Sequence, residues 1–196
     1  SRYFQNPNEA CFQALQRLMK YLATTPHLGI VYQAPSDGTL QLEAYADASW
    51  GNEDAHGAKS PHGYLIYFAG GLIDWTSTLQ SVVALSSAEA EHIAAFHASR
   101  TVAYYRSLLS EFGLSQPGAT ILWEDNEACI AQSKNPVNHK RNKHMLMKYH
   151  YLRDLTESGI VRLAYVRTHN QIADILTKPL SPSLFSHFLP YLVRPV

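Results

Sequence analysis

The sequence predicts an α/β fold: a mixed five-stranded sheet whose first three strands are antiparallel, flanked by helices and preceded by a helical extension. Three observations predict it. Residues 41–85 hold strand-like apolar runs joined by turn residues, which is the pattern of hairpins. Residues 86–113 carry one long apolar stripe at helical spacing. Beyond them, short strand-like runs alternate with helical ones, which adds strands to the same sheet and packs helices on it.

Taken in order, residues 8–24 place Phe12, Leu15, Leu18, Met19 and Leu22 at helical spacing. An extended piece over 28–32 follows, and Pro35-Ser36-Asp37-Gly38 signals a turn, since proline presets φ and glycine tolerates positive φ. A boundary there gives an extension over 1–38 and a main domain over 39–196. Strand 41–47 comes next, then a polar loop over 49–60 and a second strand over 63–68. Gly70-Gly71 turns the chain into a third strand that begins at Leu72 and runs, with a break, toward Leu85. Ser86 and Glu89 fit a capping box, in which both side chains satisfy free backbone N–H groups. Ala94, Ala98, Val102, Tyr105, Leu109 and Phe112 form the stripe of the long helix, and Gly113 ends it. A strand over 120–124 leads to a helix over 126–133, which Asn135-Pro136 breaks. A basic helix over 143–157, a strand over 160–166 and a last short helix from about Asn170 complete the order.

At 196 residues the chain suits one domain with an appendage, and 46% hydrophobic residues supply a sizeable core. The formal net charge is zero, so any contact with nucleic acid has to come from local charge. Cys11 and Cys129 form no CxxC pair, which argues against a disulfide framework and for a reducing compartment. No apolar run approaches the roughly 18 residues that span a bilayer, and no signal-peptide pattern opens the chain. Ser1 in place of an initiator methionine reads as the start of a segment cut from a longer chain.

Only 16% of residues are charged, so acids at the ends of regular elements stand out. Asp47 ends the first strand of the main domain, Glu91 lies in the first turns of the long helix, Asp125 follows strand 120–124, and Asp174 sits in the last short helix. Carboxylates converging without fixed cations repel one another, and a divalent metal relieves the repulsion. The pattern points to a metal-dependent phosphodiester hydrolase. Three of these acids also have a plain structural reading: Asp47 as a turn residue, Asp125 as a helix cap, Asp174 as a first-turn acid favoured by the helix dipole.

Six stretches in order resemble the ribonuclease H domain of copia-type LTR retrotransposon polyproteins. They are Tyr45-Ala46-Asp47-Ala48-Ser49-Trp50; Lys59-Ser60 with Gly63-Tyr64; Ala84-Leu85-Ser86-Ser87-Ala88-Glu89-Ala90-Glu91; Glu124-Asp125-Asn126; Arg141-Asn142-Lys143-His144; and Gln171 through Leu180. Residues 8–32 resemble the segment that joins the reverse transcriptase to this domain. The resemblance implies a ribonuclease H-like fold and endonucleolytic cutting of the RNA strand of RNA–DNA hybrids by two-metal-ion hydrolysis during reverse transcription. It also implies Asp47, Glu91, Asp125 and Asp174 as ligands for two Mg²⁺ ions, with Mn²⁺ able to substitute, because oxygen-only donors suit hard cations. The reverse transcriptase of the same polyprotein is the implied partner, and the virus-like particle in the cytoplasm, or the nucleus, the implied location.

Glu89 and Glu91 compete for one role. Two residues apart on a helix they point about 200° apart, and the capping box already uses Glu89, so Glu91 is the ligand candidate. Val166-Arg167-Thr168-His169 resembles the lead-in to an accessory catalytic histidine, although the loop from His169 to Asp174 is short. Residues 128–153 hold no acid but include Lys134, Lys140, Arg141, Lys143 and Lys148. Such a run is a solvated helix face or a track for phosphates; a hybrid is bound through backbone shape and 2′-OH groups. His139, His144 and His150 have no cysteine partners and fit no zinc spacing. Ser49, Ser87 and Asn126 adjoin the acids and could bond sugar or phosphate; Ser87 is equally a helix start. The competing functions are a catalytically silent scaffold that supports a reverse transcriptase, and a metal nuclease or strand-transferase of the same fold that acts on DNA.

Overall fold

The computed structural model describes residues 7–51, 59–134 and 143–196. Helix α1 (Glu9–Thr24) is capped by Asn8, whose side chain accepts from the Cys11 N–H. Strand β1 (Leu28–Gly29) follows, then β2 (Leu42–Ala48), β3 (Pro61–Phe68) and β4 (Gly71–Leu79). Next come α2 (Ser87–Glu111), β5 (Thr120–Glu124), α3 (Glu127–Lys134), α4 (Lys143–Glu157) and β6 (Val161–Tyr165). Two 3-10 turns (Thr168–Asn170 and Ile172–Leu176), helix α5 (Pro182–Leu192) and strand β7 (Arg194–Pro195) complete the chain.

The main sheet runs β4-β3-β2-β5-β6, with β2, β3 and β4 antiparallel and β2, β5 and β6 parallel. The expected mixed five-stranded sheet is therefore present, and β2 lies at its centre. The third strand stops at Leu79 rather than extending toward Leu85. Gln80 turns its amide onto the Ala90 carbonyl at 2.8 Å, which ties the segment after β4 to α2. The expected last helix from Asn170 is two 3-10 turns, and the terminal α-helix begins only at Pro182.

Strand alternation sends Leu42, Ala44 and Ala46 to one face, where they meet Ile93, Ala94, Ala98 and Val102 of α2. Alanines on both sides let the helix lie close on the sheet, and Leu122, Leu152 and Leu163 fill the flanks. Burying each large aliphatic side chain contributes roughly 1.5–3 kcal/mol. A second apolar cluster covers the other face, with Leu65, Tyr67 and Leu72 of the sheet against Ile172 and Phe188. Here the second 3-10 turn docks so closely on β3 that a Cβ at Gly63 would lie 2.7 Å from Leu176 Cβ and 3.0 Å from the Thr76 carbonyl oxygen. The Ser77 hydroxyl donates to the Leu176 carbonyl at 2.6 Å and pins the same turn.

The amino-terminal segment touches the domain at several points. β1 pairs with β7, Tyr21 meets Phe185 edge-on, and Tyr32 Oη donates to the Leu72 carbonyl at 2.9 Å. Phe12, Leu15, Leu18, Met19 and Leu22 on α1 nonetheless stay more than half exposed. No helix among the described residues is long and apolar enough to cross a membrane.

Two histidines stack under the sheet, His62 of β3 and His97 of α2, with ring centroids 4.8 Å apart. Burial above all, with help from the Lys148 charge, lowers His62 from its ordinary 6.5 to about 4. Burial, His62, Lys148 and Arg100 lower His97 to about 4 as well. An unfolded chain takes up these protons near pH 6.5 and the folded one near pH 4, so the contribution of these two histidines to stability falls as pH drops through that window. We expect the urea midpoint of His62→Phe, taken relative to wild type at the same pH, to be higher at pH 5 than at pH 7. Equal pH dependence in the two proteins would refute the assignment.

Candidate metal centre

Three acids converge at one end of the sheet. Asp47 ends β2 and is fully buried, Glu91 stands in the second turn of α2, and Asp125 follows β5. One carboxylate oxygen from each lies within 4.8 Å of the others. The parallel pairing of β2 with β5 brings Asp47 and Asp125 to the same sheet end. Glu91 is fixed by the Ala48 N–H, which donates to its Oε2 at 2.8 Å. Burial, then the charges of Glu124, Asp47 and Asp125, push the Glu91 carboxyl well above the usual carboxylate range. Such a cluster is short of positive charge, and its donors are all hard oxygens. It fits a divalent cation of the Mg²⁺ type better than zinc.

Glu89 does serve as the cap. The Ser86 Oγ accepts from the Glu89 N–H, and the Glu89 carboxylate accepts from the Leu85 N–H at 3.0 Å, one residue earlier than a capping box usually reaches. Ser87 is the first residue of α2 and is exposed. The cap of α3 is Asn126 rather than Asp125: Asn126 Oδ1 accepts from the Cys129 N–H at 3.0 Å. Its side chain is thereby held by the helix beside the cluster. Ser49 is half-buried, and its N–H is spent on the Pro61 carbonyl.

Asp174 arrives by a different route. It sits in the second 3-10 turn, buried, and meets Asp47 through Lys178, whose ammonium lies 3.0 Å from Asp47 Oδ1 and 2.8 Å from Asp174 Oδ1. Burial and the Asp47 charge push Asp174 up to about 7, against the pull of Lys178. Burial opposes the Lys178 charge, yet Asp47 and Asp174 outweigh it and hold its pKa above the ordinary lysine value. The Thr177 hydroxyl donates to the other Asp47 oxygen, Oδ2.

Four residues of this site escaped sequence reasoning. Thr177 and Lys178 are two; the third is Gln171, fully buried, whose Nε2 donates to the Ala46 carbonyl at 2.9 Å and to the Trp123 carbonyl at 3.4 Å. Those carbonyls immediately precede Asp47 and Glu124, so one amide ties the ends of β2 and β5 to the turn that carries Asp174. We expect Gln171→Leu to lower stability by about 1–3 kcal/mol in urea denaturation, the cost of leaving buried carbonyls unsatisfied. Glu124 is a fifth, wholly buried carboxyl behind the cluster, pushed well above its usual range first by burial and then by the Asp125 and Asp47 charges. Its Oε1 accepts from the Asn126 N–H at 3.1 Å. Strand alternation was the available signal, because it sends Glu124 inward with Leu122.

The remaining candidates make other contacts or fall outside the described residues. His169 is exposed in the first 3-10 turn and stacks on His187 of α5, with centroids 5.1 Å apart. No hydrogen bond to a carboxylate engages it among the described residues. Lys148 lies over the Phe96 ring at 5.6 Å rather than standing free, and Lys134 is exposed at the end of α3. Lys140, Arg141 and His139 fall outside the described residues, as do the side chains of Lys143 and His144. His150 is exposed and bonds Arg153 at 2.6 Å.

This sheet order with its clustered acids defines the class, a ribonuclease H fold. LC11-RNase H1, isolated from compost, superimposes with a TM-score of 0.50 at 14% identity, over 71% of this chain and 94% of that one. A prototype foamy virus protease–reverse transcriptase mutant also matches at 0.50 and 14% identity, over 77% of this chain and 22% of its own. No family model matches. In sequence, the chain is 39% identical over 189 residues to the retrovirus-related Pol polyprotein from transposon RE1 of Arabidopsis thaliana, a match that covers 96% of this chain and 13% of the polyprotein. The homologues of this chain are retrovirus-related Pol polyproteins of copia-type transposons, and it spans a small part of their length.

Proposed function

We propose that this domain hydrolyses the RNA strand of RNA–DNA hybrids with divalent ions held by Asp47, Glu91, Asp125 and Asp174. The observation that carries the reading is the convergence of three carboxylates within 4.8 Å at the sheet end, with Asp174 joined to Asp47 beside them. When bound, Mg²⁺ or Mn²⁺ would supply Lewis-acid polarisation of a phosphate and activation of a water. The chain's own contribution is placement. The Ala48 N–H and the helix hold Glu91, while Gln171 fixes the strand ends that present Asp47 and Asp125. Ser49, Ser87, Asn126 and the cations from Lys134 to Lys148 are the candidates for sugar and phosphate contacts, and His169 for an accessory role.

The fold of LC11-RNase H1 and homology to Pol polyproteins support this reading. A reverse transcriptase in the same polyprotein is the proposed partner, consistent with the uncovered apolar side of α1. One observation favours the silent-scaffold reading: both Asp47 oxygens are already engaged, by Thr177 and Lys178. Cleavage of a labelled RNA–DNA hybrid in Mg²⁺ and Mn²⁺, beside double-stranded RNA and DNA, separates the readings. RNA cut only in the hybrid supports hydrolysis. Cutting of DNA favours the strand-transferase class, and no cutting despite demonstrated binding of metal and hybrid favours the scaffold.

A further inference from the structure

Lys178 is the residue of the centre that the proposed reaction leaves without a task. It lies four positions after Asp174, just beyond the second 3-10 turn, and its ammonium bridges two buried carboxylates at 3.0 and 2.8 Å. Without it, Asp47 and Asp174 would face each other at short range, with the Thr177 hydroxyl donating to the Asp47 carboxylate alone of the two. A single positive charge so placed relieves their repulsion and keeps the turn docked.

The same place is where a second divalent ion would have to sit to use Asp47 and Asp174 together. An ammonium and a divalent ion cannot share the same carboxylate oxygens at bonding distance, because their charges repel at close range. Lys178 can also leave. Its side chain is 31% exposed. It lines a cavity of about 660 Å³ between α1 and α5, together with Arg17, Leu18, Tyr21, Ile175 and Phe185. That space lies open beside the lysine side chain. The cluster of Asp47, Glu91 and Asp125, by contrast, has no lysine bound to Glu91 or Asp125 among the described residues.

We propose that Lys178 is a built-in cation that occupies the Asp47–Asp174 half of the centre until a second divalent ion displaces it, and so sets the affinity of that position. The inference rests on the metal-centre reading above. It makes Lys178 a positioning residue that orders the two ions, the first entering at Asp47, Glu91 and Asp125 and the second only in competition with the lysine.

The test is Mn²⁺ binding to the full chain, followed by electron paramagnetic resonance and calorimetry, in wild type, Lys178→Met and Lys178→Arg. Wild type is expected to bind one ion well and a second weakly. In Lys178→Met the second affinity should rise about tenfold, a change of 1.4 kcal/mol, whereas Lys178→Arg should match wild type. Thermal unfolding gives a readout free of catalysis: in EDTA the Met variant should melt lower than wild type, and saturating Mg²⁺ should raise its Tm by more. Near-UV circular dichroism establishes that each variant is folded. Two ions bound with an unchanged or weaker second affinity in folded Lys178→Met would overturn the role of Lys178 alone. No Mn²⁺ bound by any of the three would overturn the metal centre and this inference together.

Discussion

Asp47→Asn is expected to reduce hydrolysis of a hybrid by about a thousandfold, comparable with the loss of a principal electrostatic element of an active site. The size follows from its position. Asp47 is the one acid that belongs to both halves of the centre: it clusters with Glu91 and Asp125, and it shares Lys178 with Asp174. Asparagine keeps the shape but removes the charge, so the fold should survive while both halves lose a ligand. A single-turnover assay at saturating Mg²⁺, with the melting temperature measured alongside, checks both parts. Activity within tenfold of wild type would sink the assignment.

Gly63→Ala is expected to damage the site without touching any acid. Gly63 pairs with Asp47 across β2 and β3, and its missing side chain is the space into which the 3-10 turn settles. A methyl group 2.7 Å from Leu176 Cβ has to push the turn outward, since the Thr76 carbonyl at 3.0 Å blocks the other direction. Overpacking of this kind costs about 1–3 kcal/mol. The displaced turn would carry Thr177, Lys178 and Asp174 away from Asp47. A shift of about 1 Å at a catalytic group can cost roughly a hundredfold in rate. The expected result is a modest fall in Tm with a fall in kcat out of proportion to it. A kcat equal to wild type would mean that the turn does not position the site.

Much of this architecture could be read from the chain because its signals are local. The Ser86 cap, the apolar stripe of α2 and the apolar pattern of β2 each lie within one element, and each predicted its element closely. Rejecting Glu89 in favour of Glu91 needed helix geometry and the capping box, both local, and the capping bond of Glu89 agrees with it. The carboxyl-terminal quarter was harder. A 3-10 turn has no sustained periodic stripe to detect, so the segment holding Asp174 passed for an α-helix. Helix α5 starts at Pro182 and includes Pro190, two residues that read as breakers although the first serves at a helix start. Thr177 and Lys178 could not be found from spacing at all. Their meaning comes from Asp47, more than 125 positions away in the chain.

That separation bears on how the protein comes into being during synthesis. The β2–β3–β4 meander is closed by neighbouring segments and can form as soon as residue 79 has been made and has cleared the ribosome. The acid centre needs Asp125 and then the Asp174–Lys178 turn, whose closure spans most of the chain and is correspondingly slow. At a translation speed of about 5–20 residues per second, several seconds separate a folded meander from a finished centre. Whatever chemistry the centre performs is therefore silent until the Asp174–Lys178 turn has been made and has docked, and that turn arms it.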